Sequence, residues 1–109
     1  MSATTPTAEI LKMGEMVNYQ EGSIVSRVIL KSDEAGNVTL FSFDAGQELS
    51  EHTAPFNALA HILDGEAEIR ISGQSFYLKT NEAIVMPANQ PHAVRAGKKF
   101  KMLLTIIRT

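Results

Sequence analysis

The chain has 109 residues, 44% of them hydrophobic, and a formal net charge of −2, values that suit one domain with one core and give no basic surface for nucleic acid. Cysteine is absent, so disulfides, thiolate metal sites and cysteine nucleophiles are excluded. No apolar run approaches the ~20 residues that cross a bilayer and the first residues lack a signal-peptide pattern, so we expect a cytoplasmic protein that does not bind membranes.

The N-terminal region has little regular pattern. Residues 1 to about 8 are small and polar and include a proline, which predicts a disordered or extended tail before a single domain over residues 9–109. The next segment allows two interpretations. Its apolar residues from Ile10 to Val17 fit one amphipathic helical turn interrupted by Gly14, and Val17 with Tyr19 equally fits the beginning of a strand.

From Ile24 onward the pattern is that of an all-β protein. Short runs of β-branched and aromatic residues recur about every eight to twelve residues, with turn-forming residues between them. Eight strands are predicted, at residues 24–31, 38–44, 58–63, 66–71, 76–79, 83–86, 92–95 and 100–108. This number of short strands favours a closed barrel or a two-sheet sandwich.

The turns between these strands predict consecutive hairpins. Segment 33–37, Asp64-Gly65 and Ser72-Gly73 all contain residues that tolerate positive φ. Strict alternation of apolar and charged residues in segment 66–71 predicts one inward face, and Lys101 and Thr105 indicate an inward face in the last strand as well. The residues expected on these inward faces are Ala67, Ile69, Ile71, Phe100, Met102, Leu104 and Ile106.

The first strand is apolar on both faces. Ile24, Val28 and Leu30 share one face, and Val25 and Ile29 share the other. Such a strand needs cover on both sides, which either a second subunit or the rest of the monomer can provide. Both sources of cover stay open, and we expect a homodimer.

Two motifs lie between Gly46 and Ala96. In the first, five residues separate Gly46 from His52, and Gly65 closes the motif; in the second, Pro87 is followed by His92. These motifs resemble the paired motifs of the cupin family. The resemblance implies a cupin-type jelly-roll barrel of about eight short antiparallel strands.

The chain departs from the cupin pattern mainly at ligand positions. Cupins typically hold a metal ion with two histidines and a glutamate of the first motif and one histidine of the second. Here Ala54 and Ala58 replace the second histidine and the glutamate, so His52 and His92 are left. Two glycine positions are Asn81 and Asn89, and asparagine tolerates left-handed backbone geometry.

The two histidines can begin a divalent metal site (Zn, Fe, Mn or Ni), but a tight site generally needs three or four protein ligands. His61 would join them only if a bulge turned it inward. Position 58 faces the cavity in cupins, and position 61, three residues further along the strand, should face the opposite side. Whether a metal is bound, and which residues would be catalytic, stays open.

The alanine replacements vacate space in the mouth of the predicted barrel. A mostly apolar pocket with a few polar points is typical of a small-molecule site, although the same side chains also suit a filled core. The ligand-binding residues that we predict are His52, His92, Ala54, Phe56, Ala58, Phe43 and Met102.

Two functions fit this pattern. The first is a module that binds a small molecule, anionic or carbonyl-bearing, near His52 and His92. The second is a metal-dependent enzyme of the oxygenase, isomerase or decarboxylase class, in which an unconventional ligand joins the two histidines. A metal-free acid–base enzyme would lack a visible partner carboxylate at the motif positions. Fold alone does not choose among them.

Overall fold

The structure is a computed structural model that describes residues 5–108. The predicted tail over residues 1–8 therefore lies partly outside the described residues. Residues 5–12 have no regular secondary structure, and one 3₁₀ turn, Met13–Glu15, follows. Within residues 5–108 no helix is long and apolar enough to cross a membrane.

Residues 24–107 form eight antiparallel strands that curl into two packed sheets. Their bounds are β1 (Ile24–Ser32), β2 (Gly36–Phe43), β3 (Glu48–His52), β4 (Asn57–Ile71), β5 (Gln74–Lys79), β6 (Ala83–Met86), β7 (His92–Arg95) and β8 (Phe100–Ile107). The first sheet contains β1, β2, β8, the first half of β4, and β6. The second sheet contains β3, β7, the second half of β4, and β5. The expected all-β jelly-roll barrel is confirmed.

Strand β4 corrects one predicted turn. It runs for 15 residues through Asp64-Gly65, where we expected a hairpin. Gly65 has φ +80, and a side chain there would collide with the carbonyl oxygen of Lys99. This glycine, beside a register shift between Ile62 and Asp64, lets one strand bend from the first sheet into the second.

Strand β3 was not predicted, because its sequence ELSEH contains one apolar residue and four polar ones. Other turns agree with the sequence. Ser72 and Gly73, at φ 49 and 83, connect β4 to β5, and Gly36 at φ 135 ends the turn between β1 and β2. Asn81 and Asn89 take positive φ of 71 and 64, as expected where asparagine replaces glycine.

The inner faces of both sheets form the main core. Ala67, Ile69 and Ile71 are buried in it, as the alternation predicts. At one end of the barrel Phe43, Ile62, Phe100 and Met102 are 0–1% exposed, and the Phe43 and Phe100 rings stack with centroids 4.5 Å apart. We call these four residues the closed end. Leu104 and Ile106, further along β8, are half-buried on the same inner face.

The outer face of the first sheet carries a second, smaller core. Val17 packs there with Ile29 and Leu40. Val17 is not part of a strand, so the alternative of a strand beginning at Val17 is wrong. The segment before β1 is tied to the sheet because Ser42 Oγ donates a hydrogen bond to the Asn18 carbonyl (2.7 Å). Part of the apolar outer face of β1 is therefore covered within the monomer. The register shift between Val28 and Leu30 pairs Leu30 with outward-facing Val38, so the expectation that Leu30 shares a face with Ile24 and Val28 is wrong.

Candidate functional site in the barrel mouth

The two motif histidines lie opposite each other on neighbouring strands. His52 of β3 pairs directly with His92 of β7, so their side chains share one face of the second sheet. Val94, two residues after His92, is buried in the inner core, which places both rings on the inside of the barrel. His92 is 7% exposed, whereas His52 is exposed at the rim.

The rings are held by the backbone. The Nδ1 atoms of His52 and His92 lie 2.8 and 3.2 Å from the carbonyl oxygens of Ser50 and Gln90. A carbonyl oxygen only accepts, so each Nδ1 carries the hydrogen and donates it. Each neutral ring then presents the lone pair of Nε2, and the two Nε2 atoms lie 3.1 Å apart.

Two acceptors at this distance need a proton or a donor group between or beside them. Burial lowers the pKa of His92; the Gln90 carbonyl acts in the opposite direction, and a charge on His52 lowers the pKa further. Burial therefore favours the neutral form of His92, whose Nε2 lone pair faces His52.

The rim around the histidines is joined by hydrogen bonds between two loops. The Asn89 amide donates to the Ala54 carbonyl (2.7 Å), and the Ala88 amide donates to Oδ1 of Asn57 (2.9 Å). The left-handed backbone of Asn89 makes the first contact possible. Segments 53–57 and 87–91 therefore form one connected rim, which fixes the positions from which the histidines project.

The predicted wall residues divide into two levels. Ala54, Phe56 and Ala58 are half-buried near the rim. Residues of β4 and β8 pair across the inner face, and Met102 lies two inward-facing pairs away from Ala58. Met102 and Phe43 both belong to the closed end. We call His52, His92, Ala54, Phe56 and Ala58 the barrel mouth. Ligand contacts by Phe43 and Met102 stay a prediction.

His61 faces away from the mouth. Its neighbours Ala60 and Ile62 are fully buried in the inner core, so His61 points to the outer face. The register shift in this strand comes after Ile62 and does not turn His61 inward. Within residues 5–108 no group of three or more His, Cys, Asp or Glu side chains is arranged to hold a metal ion.

Arg108 is a candidate residue that the sequence reasoning missed. Its guanidinium carbon lies 4.8 Å from the centroid of the Phe56 ring. Arg108 follows inward-facing Ile106 by two residues, and Phe56 precedes inward-facing Ala58 by two. The sequence could have indicated this pair only if the inward–outward alternation of β4 and β8 had been continued past the ends of the strands.

Comparison with known proteins gives a consistent result. Residues 39–107 match the family model of the cupin domain. An uncharacterised protein of Aquifex aeolicus (strain VF5) is 26% identical over 99 residues, covering 90% of this chain and 82% of that protein. The solved structure of a conserved protein of unknown function from Streptococcus pyogenes is similar with a TM-score of 0.91 and 33% identity, covering 100% of this chain and 96% of that one.

A cupin superfamily protein of Desulfitobacterium hafniense DCB-2 is similar with a TM-score of 0.88 and 28% identity, covering 96% of this chain and 95% of that one. The region matched by the family model contains both mouth histidines and the wall residues Ala54, Phe56 and Ala58. The sequence motifs, the curled eight-stranded architecture and these similarities agree, and the chain belongs to the cupin family.

Proposed function

We propose that this cupin binds a small organic molecule in the barrel mouth, with His52 and His92 as its polar anchors. The observation that carries the proposal is the pair of Nε2 atoms facing each other at 3.1 Å. Neither atom has a donor partner in the neutral pair, and for His92, whose ring is buried, a missing donor costs about 1–3 kcal/mol. A hydroxyl or amide hydrogen of a bound molecule would relieve that cost.

The surroundings of the pair support binding rather than a filled core. The closed end packs without exposed side-chain surface, whereas Ala54, Phe56 and Ala58 are all half-buried at the opposite end. Two of these positions are alanine, a much smaller side chain than the histidine and glutamate of the cupin pattern. A few placed polar groups within an apolar wall are the usual composition of a small-molecule site.

One observation favours a second candidate, a metal-dependent enzyme of the oxygenase, isomerase or decarboxylase class. The two Nε2 atoms, 3.1 Å apart, are close enough that both would bind one divalent ion, which would act as a Lewis acid. The donor set does not fit a tightly held metal, however, since the described residues offer no third ligand.

The test uses the full chain without an affinity tag, treated with chelator, in ¹H–¹⁵N NMR titrations with 4-hydroxybenzamide and with 4-hydroxybenzoate, both of which carry a hydroxyl that can donate to Nε2. We expect shifts at His52, Ala54 and Ala58 with at least one probe. His52→Ala should weaken that binding about ten-fold, since it removes one anchoring hydrogen bond. His61→Ala is the matched control, because its ring faces outward, and should bind as the unchanged protein does.

The absence of shifts at the mouth with both probes would contradict the proposed function. Metal analysis of protein purified without chelator separates the two candidates. Near-stoichiometric metal that is lost in His52→Ala and His92→Gln but kept in His61→Ala would favour the metal-dependent enzyme. Metal far below one ion per chain would favour the binding module.

We also propose that the chain forms a homodimer through the outer face of its first sheet. Four apolar side chains are exposed there: Leu30 (52%), Leu59 (41%), Val85 (55%) and Ile107 (51%). Leu59 pairs with Val85 on the adjacent strand β6. Asn57, two residues before Leu59 on the same face, pairs with Ile107, so the side chains of Leu59, Val85 and Ile107 are contiguous. Contiguous exposed apolar surface on a small protein commonly marks an interface, and an uncharged patch suits a second copy of itself.

Light scattering coupled to size-exclusion chromatography tests the dimer. Leu59→Asp should convert dimer to monomer, because it places a charge at the centre of the contact. Tyr77→Asp is the control, since Tyr77 is 75% exposed on β5 of the second sheet. A monomeric unchanged protein, or equal effects of the two substitutions, would overturn the proposal.

A further inference from the structure

Arg108 brings a positive charge to the edge of the barrel mouth, where its exposed side chain contacts Phe56. The period of two, extended one residue past the ends of β4 and β8, puts both residues on the inward side. A guanidinium over an aromatic ring is held by the ring face, while its N–H groups lie in its own plane and stay available to a ligand. Phe56 therefore positions Arg108 without using its hydrogen-bond donors.

Arg108 has no carboxylate partner in the described part of the chain. The one ion pair within residues 5–108 joins Arg70 and Glu68. Glu48 and Glu51, which lie on the strand that ends at His52, line a groove on the outer side of the second sheet. Arg108 therefore brings a positive charge to a mouth residue, Phe56, although the whole chain has a formal charge of −2.

The His52–His92 pair does not neutralise this charge. An imidazole is neutral or positively charged and never carries a negative charge near neutral pH, so neither ring offsets the guanidinium charge. A ligand bound between the histidines and Arg108 therefore meets positive or neutral polar groups at both ends. Its middle meets the apolar side chains of Ala58 and Ile106, which pair across β4 and β8.

We propose that the natural ligand is a small organic carboxylate, held by Arg108 through its carboxylate group and by the histidine pair through a hydroxyl, amide or second polar group. This inference rests on the proposed function and names its ligand class. A guanidinium matches a carboxylate because two N–H groups can donate in parallel to the two oxygens. The short apolar wall suits a ligand with an apolar body.

The test compares 4-hydroxybenzoate with 4-hydroxybenzamide, which share a ring and a hydroxyl donor for the histidine pair and have nearly the same shape but differ in charge. In NMR titrations at pH 7.5 we expect 4-hydroxybenzoate to bind about ten-fold more tightly, which a charge-assisted hydrogen bond accounts for. Arg108→Gln should remove this preference and affect the amide much less than the carboxylate. Arg108→Lys should restore part of it, because the charge is kept and the planar fork is lost.

Arg95→Gln is the matched control, since Arg95 lines the outer groove and should not affect the preference. The inference is overturned if Arg108→Gln keeps the preference, or if the unchanged protein binds both probes equally. In that second case the proposed function survives when His52→Ala still weakens both probes. If neither probe shifts residues at the mouth, the proposed function fails together with the inference.

Discussion

The closed end and the mouth of the barrel share strand β4 and differ in what their side chains do. At the closed end Phe43 and Phe100 stack, and the side chains around them are 0–1% exposed. At the mouth β3 and β7 carry the two histidines, and Ala54, Phe56 and Ala58 are half-buried. The difference indicates that apolar burial at one end stabilises the fold, which allows the other end to hold polar groups.

Truncating one phenylalanine at each end gives the largest expected contrast. Phe100→Ala should lower the free energy of unfolding by about 3–5 kcal/mol, because it leaves a cavity in a fully packed layer. Phe56→Ala should lower it by only about 1 kcal/mol, because that ring is half-buried. Urea denaturation measures both values. Equal losses would show that the two ends do not differ in the way proposed.

Two glycines test how the closed end is formed. Gly65 and Gly73 have nearly the same backbone angle, φ 80 and 83, so alanine at either site should cost about 1 kcal/mol in strain. At Gly65 an added methyl group also meets the Lys99 carbonyl, whereas nothing lies near Gly73. Gly65→Ala should therefore lower the free energy of unfolding by about 3 kcal/mol in all, since the backbone of β8 must shift.

Thermal or urea unfolding of the two glycine variants is a matched measurement. If Gly73→Ala lost as much stability as Gly65→Ala, the strain of positive φ would explain both effects. The close approach of β4 to β8 would then have no special role. The same pair also tests whether the bend of β4 between the sheets depends on the absence of a side chain at residue 65.

Much of this architecture follows from local sequence. The alternation in segment 66–71 identified the inward residues because side chains on a strand point to opposite faces in turn. Asn81 and Asn89 tolerate positive φ as single residues, so their role as turn residues was predictable. The convergence of His52 and His92 came from the cupin motifs, which place them on neighbouring strands.

Other features depend on contacts between distant parts of the chain. Asp64-Gly65 is a good hairpin signal, and its role as a bend is decided by the Lys99 carbonyl, which comes from a different part of the fold. Strand β3 is mostly polar and becomes a strand by pairing with β7. Arg108 is recognisable as a mouth residue only when Phe56 is beside it.

The smallest expected effect concerns pH and distinguishes the two ends again. An unfolded histidine titrates near pH 6.5, and burial lowers the pKa of His92 in the folded protein. Between these two values the unfolded state binds more protons than the folded state does. His92 therefore makes its full contribution to the free energy of unfolding above pH ~7. That contribution falls as the pH drops through about 6.5, and the fall ends when the pH reaches the lower pKa of the folded state.

Urea denaturation between pH 8 and 5.5 measures this slope, above the range in which most carboxylates titrate. His92→Gln should flatten the curve, whereas His61→Gln should leave the contribution of His92 intact. Phe100→Leu, at the closed end, should lower the whole curve without changing its slope, because no titrating group is altered. If the free energy of unfolding of His92→Gln still fell with decreasing pH as steeply as that of the unchanged protein, the pH dependence would come from groups outside the mouth. The mouth and the closed end would then not differ in their pH dependence.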